Sequence, residues 1–304
     1  MAEIAGAAVD RRSMLAAAGM AGLAVVGTAG RAEARAEPVT SGVSARRFEN
    51  KVVIITGATS GIGRATALAF AREGAKVGFC GRRTQLGREV EQEIRRAGGE
   101  AAYVRADVRR EDEVRGFVDR IAGKYGGLDI AFNNAGVNWF VELEQISLEQ
   151  WNDLMATNVT GVFLAMKYQI PHLLRREGGV IVVTSSVAGT ATRPGGSAYA
   201  ASKRALAGIV QAAALDYGKK NIRTVAIAPG TIRTPIFEVN RPAGMSDEDW
   251  EVEIVKWGKA NVDALGRIGR PEEVAASVLA AAQPGQSFLT GTEIIVDGGM
   301  TAGL

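Results

Sequence analysis

The sequence predicts a doubly wound α/β domain, a seven-stranded parallel sheet with helices on both faces. Three observations predict it. From about residue 50, seven short β-branched runs alternate with six longer stretches of helical period. The runs are apolar almost throughout, as strands are when helices cover both faces of a parallel sheet. A glycine-rich turn, TGATSGIG at 56–63, joins the first run to the first helical stretch.

The first strand, Val52–Thr56, runs directly into that turn. Gly57, Gly61 and Gly63 let the backbone turn tightly and approach a pyrophosphate, with Ser60 and Ile62 between them. The helix that follows, 61–73, points its unpaired N–H groups and positive dipole end at such an anion. At the first strand–helix junction of a βαβ pattern, this predicts a dinucleotide site. The second strand, Ala75–Cys80, ends in Gly81-Arg82-Arg83. A carboxylate there would bond the ribose hydroxyl of NAD and repel a 2′-phosphate; two guanidiniums can instead clamp one. NADP is therefore expected in preference to NAD, with solvated arginines at the start of helix 84–97 as the alternative reading.

The third strand, Ala101–Arg105, leads through Ala106-Asp107-Val108 to a helix at 111–125. The fourth, Leu128–Asn133, ends in NNAG at 133–136, a Gly-containing turn comprising Asn134, Ala135 and Gly136. One helix is expected over 147–176. It carries Asn158 among apolar neighbours, where a poor helix former needs partners for its amide. A fifth strand (Val180–Thr184), a helix (197–218), a sixth strand (Ile222–Ala228) followed by Pro229-Gly230, a helix (271–282) and a last strand (Glu293–Val296) complete the alternation. Residues 234–262 are far longer than a typical connection and are expected to form a lid over a site, a surface excursion being the alternative. No Pro/Gly-rich linker divides the chain from residue 50 to 304, so one domain is expected there.

After the fifth strand, Tyr199 and Lys203 stand four apart and so share one helix face. Hydride delivery to a carbonyl leaves an alkoxide that needs a proton, and a free tyrosine, with a pKa near 10, exchanges one too slowly at neutral pH. A neighbouring ammonium is expected to stabilise the phenolate and lower its pKa.

The glycine turn, NNAG, the Ser186/Tyr199/Lys203 set and Pro229-Gly230 together resemble the short-chain dehydrogenase/reductase family, in its compact single-domain branch, from about Asn50 to Gly299. The resemblance implies a Rossmann fold and an NAD(P)-dependent oxidoreductase acting on a carbonyl or secondary alcohol. It implies Tyr199 as acid/base, Lys203 on the nicotinamide ribose, Ser186 (rather than Ser185) on the substrate oxygen, and Asn158 supporting a water-linked proton relay. A plain buried amide is the other reading of Asn158. NNAG is similar to the turn beside the adenosine. Asp107, with Val108 next to it, resembles the adenine contact, an N-cap of the next helix being an equally physical account. PGTIRT at 229–234 resembles the segment that fixes the carboxamide, through Ile232 and Thr234. Ser60 occupies a position often basic in NADP-preferring members, so that preference rests on Arg82 and Arg83. Trp139, Phe140, Phe237 and Trp257 are candidates for an apolar substrate pocket, packing within the lid being the equal alternative. The last strand resembles one that contributes to a tetramer contact, so a homotetramer is expected. A non-catalytic nucleotide-binding protein on the same scaffold is the rival reading.

A net charge of +3, spread along the chain without basic blocks, argues against nucleic-acid binding. One cysteine, Cys80, excludes an intrachain disulfide, and a lone His172 with it makes a zinc site unexpected. Upstream of the fold, Arg11-Arg12 precede an 18-residue Ala/Gly-rich run, Ser13–Gly30, marginal for spanning a bilayer. Ala34-Arg35-Ala36 fits a small-x-small cleavage site before Glu37. Residues 1–36 therefore resemble a twin-arginine export signal, followed by a linker over 37–49, with the periplasm as destination. An uncleaved anchor and a mis-assigned start with a cytoplasmic protein are the alternatives.

Overall fold

Strand β1 (Val52–Thr56) is buried at every position because neither of its faces meets water. The computed structural model describes residues 46–238 and 241–303. Six further strands join β1: β2 (Lys76–Gly81), β3 (Glu100–Arg105), β4 (Ile130–Asn133), β5 (Gly179–Thr184), β6 (Ile222–Pro229) and β7 (Glu293–Val296). All pairings are parallel, in the order β3-β2-β1-β4-β5-β6-β7. The order reverses between β1 and β4, which opens a crevice at their carboxyl ends. Register aligns those ends: Thr56 lies opposite both Cys80 and Asn133.

Nine helices occur among the described residues: α1 (Gly61–Arg72), α2 (Thr84–Arg96), α3 (Glu111–Tyr125), α4 (Leu148–Met155), α5 (Gly161–Arg175), α6 (Ser197–Tyr217), α7 (Pro235–Glu238), α8 (Asp247–Asn261) and α9 (Pro271–Ala282). Two apolar clusters fill the two sides of the sheet. One packs Phe117, Leu173 and Leu206 from α3, α5 and α6; the other packs Phe70, Ile94 and Leu279 from α1, α2 and α9. This is the expected doubly wound, seven-stranded parallel sheet.

Three details differ from the sequence expectation. The helix expected over 147–176 is divided by a wider π turn at Ala156–Thr160, which holds Asn158. Phe48, in the stretch read as linker, is 1% exposed and packs edge-on against Phe70 at 4.8 Å. The fold therefore includes the turn before β1, which Arg47 ties to Glu73 at the end of α1. Within 234–262, α7 and α8 gather Trp250, Ile254 and Ile268 into a small core of their own, with Phe237 and Trp257 against it. Trp257 packs edge-on to Phe237 at 6.0 Å and does not line the main cavity. The expected export signal at 1–36 lies outside the described residues. No described helix is long and apolar enough to cross a membrane.

Candidate active site

The glycine turn owes its shape to the absence of side chains. Gly57 has a φ of +71°, a region that disfavours other residues. A Cβ on Gly63 would stand 2.4 Å from the Gly57 carbonyl and 2.6 Å from the Asn134 amide nitrogen. That close approach lets Asn134 donate to the carbonyls of Thr56 (3.3 Å) and Gly57 (3.1 Å), locking the turn after β4 onto the turn after β1. The Thr56 hydroxyl accepts from the backbone N–H groups of Asn134 and Ala135. Gly61 faces Thr234, whose methyl would lie 3.2 Å from an added Cβ. Residues 173 positions apart in sequence thus meet in one crevice.

At the end of β2, Arg83 reaches back over the glycine turn. Its guanidinium donates to the Thr59 hydroxyl at 2.8 Å and to the Ser60 hydroxyl at 2.6 Å. A basic group is thereby supplied at Ser60 by a residue 23 positions later. Arg82 lines the same cavity. Asp107 also lines it, but does not cap α3, whose N-cap is Arg110. The Asp107 carboxylate instead accepts from the backbone and side chain of Arg109 (3.1 and 2.6 Å), and that hydrogen bonding holds its pKa below the ordinary value. Val108 is buried where Gly161 opens α5, 2.9 Å from the position a Cβ would take.

Tyr199 and Lys203 emerge from the first turns of α6 onto the carboxyl end of β5. The Lys203 ammonium is 3% exposed, donates to the Thr184 carbonyl at 2.8 Å, and lies 5.6 Å from the centre of the Tyr199 ring. Burial pushes its pKa down to about 8. Tyr199 hydrogen-bonds the Ser186 side chain, which lowers its pKa, but burial outweighs this and raises it. The sequence expectation of a lowered tyrosine is therefore reversed. Lys203 sits over the ring and donates its hydrogen bond to the Thr184 carbonyl, and the shared desolvation disfavours charge on both groups. Ser186 stands at Tyr199; Ser185 is 2% exposed and also lines the cavity.

Asn158 is 1% exposed and does not line the cavity. Its amide accepts from Val137 N–H (2.8 Å) and donates to the Val137 carbonyl (2.9 Å) and the Ser202 hydroxyl (3.1 Å). It clamps the loop after β4 to α6.

A single cavity of about 700 Å³ collects these groups. It is lined by Gly57, Ser60, Gly61, Ile62, Arg82, Arg83, Asp107, Val108, Asn134, Ala135, Gly136, Ser186, Tyr199, Lys203, Pro229, Gly230, Ile232 and Thr234. Of the residues singled out from sequence, Gly63 and Asn158 stand behind the wall, supporting it. Trp139, Phe140 and Phe237 line the cavity as expected. Sequence reasoning did not single out Thr184, whose carbonyl receives Lys203, or Ser202, which braces Asn158. Ser202 sits between Tyr199 and Lys203 and donates to the Tyr199 carbonyl at 2.7 Å, and nothing in its spacing signalled this. Met300 and Thr301 reach the cavity from beyond β7, again without a local signal.

A parallel doubly wound sheet with a glycine turn at its switch point, and a tyrosine and lysine in the same cavity, defines a nucleotide-dependent α/β enzyme class. Comparison with known proteins makes the class specific. The family model for short chain dehydrogenases matches residues 51–243, and the chain belongs to that family. It is 36% identical over 261 residues to a cyclohexanol dehydrogenase of Acinetobacter sp. (strain SE19), covering 86% of this chain and 98% of that one. It is 37% identical over 259 residues to a 2,5-dichloro-2,5-cyclohexadiene-1,4-diol dehydrogenase of Sphingobium indicum, covering 84% and 98%. A solved short-chain type dehydrogenase/reductase from Mycobacterium marinum superposes with a TM-score of 0.76 at 34% identity, over 85% of this chain and 98% of that one. Family membership supports NAD(P)-dependent oxidoreduction of a small molecule.

Proposed function

We propose that the protein interconverts a secondary alcohol and its ketone, with Tyr199 as the acid/base. The observation that carries this reading is the convergence of Tyr199, Ser186 and Lys203 in the cavity that also holds the glycine turn. The crevice suits a dinucleotide: Gly57 and Gly61 line it without side chains, and the α1 N-terminus supplies unpaired N–H groups for a pyrophosphate. When bound, the nicotinamide supplies or takes up the hydride. In oxidation Tyr199 receives the hydroxyl proton of the substrate, and in reduction it returns it. Ser186 orients the substrate oxygen, Lys203 holds the ribose hydroxyls, and Asn158 fixes the loop that lines the site. Asn134 to Gly136 and Asp107 flank the adenosine, and Pro229 to Thr234 the carboxamide.

NADP is the proposed preference, because Arg83 is anchored beside Ser60 and no carboxylate ends β2. The names of the two relatives point to a carbocyclic alcohol, which the aromatic wall of Trp139, Phe140 and Phe237 would accommodate. Replacing Tyr199→Phe tests the reading: turnover of cyclohexanol with NADP should fall at least about 10³-fold while nucleotide binding persists. Unchanged turnover would remove Tyr199 from the mechanism. A protein that binds nucleotide but turns over nothing across an alcohol and ketone panel would support the non-catalytic rival instead.

Export through the twin-arginine route is proposed from Arg11-Arg12 and the run behind them. Cleavage after Ala36 would leave 268 residues and lower the net charge from +3 to +2. N-terminal sequencing of the protein from the periplasm should begin at Glu37. Since that compartment would not replenish the nucleotide, the exported protein should retain it through dialysis.

A further inference from the structure

The cavity is lined by four basic residues, Arg82, Arg83, Lys203 and Arg193, and one acid, Asp107. All but Arg193 have a place in the nucleotide reading. Arg193 lies in the loop between β5 and α6, six residues before Tyr199. Its guanidinium carbon stands 4.0 Å from the centre of the Phe140 ring. Arg109, Arg233 and Arg267 elsewhere in the fold each hold a carboxylate. Arg193 has no acidic partner among the described residues, and burial alone acts on its pKa, lowering it.

The backbone fixes this placement. Val141 N–H donates to the Gly195 carbonyl at 2.9 Å, joining the Phe140 loop to the Arg193 loop. Gly196 N–H donates to the Arg193 carbonyl at 3.0 Å. Gly195 has a φ of +74°, and a Cβ on Gly196 would meet the Thr192 hydroxyl at 2.8 Å. The loop is thus shaped to hold an exposed guanidinium over an aromatic face that lines the cavity. Such a cation gains most from an anion that accepts two parallel N–H bonds. One guanidinium beside aromatic side chains matches a planar monoanion; a phosphate dianion would require further donors.

We propose that Arg193 binds a carboxylate of the substrate, which is therefore a hydroxy acid or its oxo acid with an apolar skeleton against Trp139 and Phe237. This rests on the alcohol–ketone reading above and names its substrate class. The test uses the full chain with NADP and three alcohols on one ring: 4-hydroxycyclohexanecarboxylate, its methyl ester, and 4-aminocyclohexanol. The wild type should prefer the acid over the ester by about tenfold or more in kcat/KM, mainly through KM. Arg193→Gln should bring that ratio to about one, and Arg193→Glu should shift preference to the amine. Separately, cyclohexanecarboxylate, which has no hydroxyl to oxidise, should raise the Tm of the wild type with nucleotide but not that of Arg193→Gln. Equal use of acid and ester by the wild type, or a preference that survives in Arg193→Gln, overturns the proposal. If no alcohol reacts but cyclohexanecarboxylate still binds through Arg193, the carboxylate site stands and the alcohol–ketone reading falls. Absence of both overturns the carboxylate site.

Discussion

Lys203 is a buried ammonium that makes no ion pair among the described residues. Lys203 at a pKa of about 8, below the ordinary 10.5, binds fewer protons in the folded than in the unfolded chain between those pH values. Stability attributable to this group therefore rises as pH increases from about 8 toward 10.5, and below pH 8 it carries the full cost, about 3 kcal/mol. Comparing urea unfolding of the wild type and Lys203→Met across that range should show the wild type gaining on the variant as pH rises; parallel curves would mean an unperturbed lysine. Tyr199, raised by burial, implies that alcohol oxidation climbs into the alkaline range while ketone reduction declines there. The pairing of Tyr199 with Lys203 was legible in the sequence because four-residue spacing sets both on one face. The direction of the tyrosine's shift was not, because it depends on desolvation, which spacing does not encode.

At the scale of elements, the strands were legible to within two residues because most of their runs are largely buried and apolar. The division of the long helix was not. A π turn adds one residue, and the apolar residues on both sides of it are dense enough that their pattern alone does not mark the break. What the π turn does is place Asn158 against Val137. Asn158→Ala would leave the N–H and carbonyl of Val137 without that partner and should cost about 2 kcal/mol in denaturant unfolding. The turn before β1 offers a second check. Phe48→Ala would empty a fully enclosed site against Phe70 and should cost about 3 to 5 kcal/mol. Phe48 was missed because a single aromatic outside any periodic run gives no signal of burial.

For the whole molecule, the parallel order with its reversal between β1 and β4 makes the carboxyl edge the one place where the glycine turn, NNAG and α6 can converge. The convergence was legible once the alternation was recognised, but the C-terminal contribution of Met300 and Thr301 was not. Among the exposed apolar side chains, Phe163 on α5, 52% exposed, and Ile295 on β7, 51% exposed, lie on separate elements. Closed dihedral assembly needs two distinct self-complementary faces, and the proposed homotetramer can draw one from each. Light scattering should then give four copies for the wild type and two for either Phe163→Glu or Ile295→Lys; a monomeric wild type would refute the assembly.

The hydrogen bond from Val141 to Gly195 has a practical consequence for engineering. It makes the walls after β4 and β5 one mechanical unit, so a loop transplanted alone from a relative with another specificity would arrive without its brace. Transplants of both segments together should preserve turnover where single exchanges lose it. Substrate range on this scaffold would then change in paired steps.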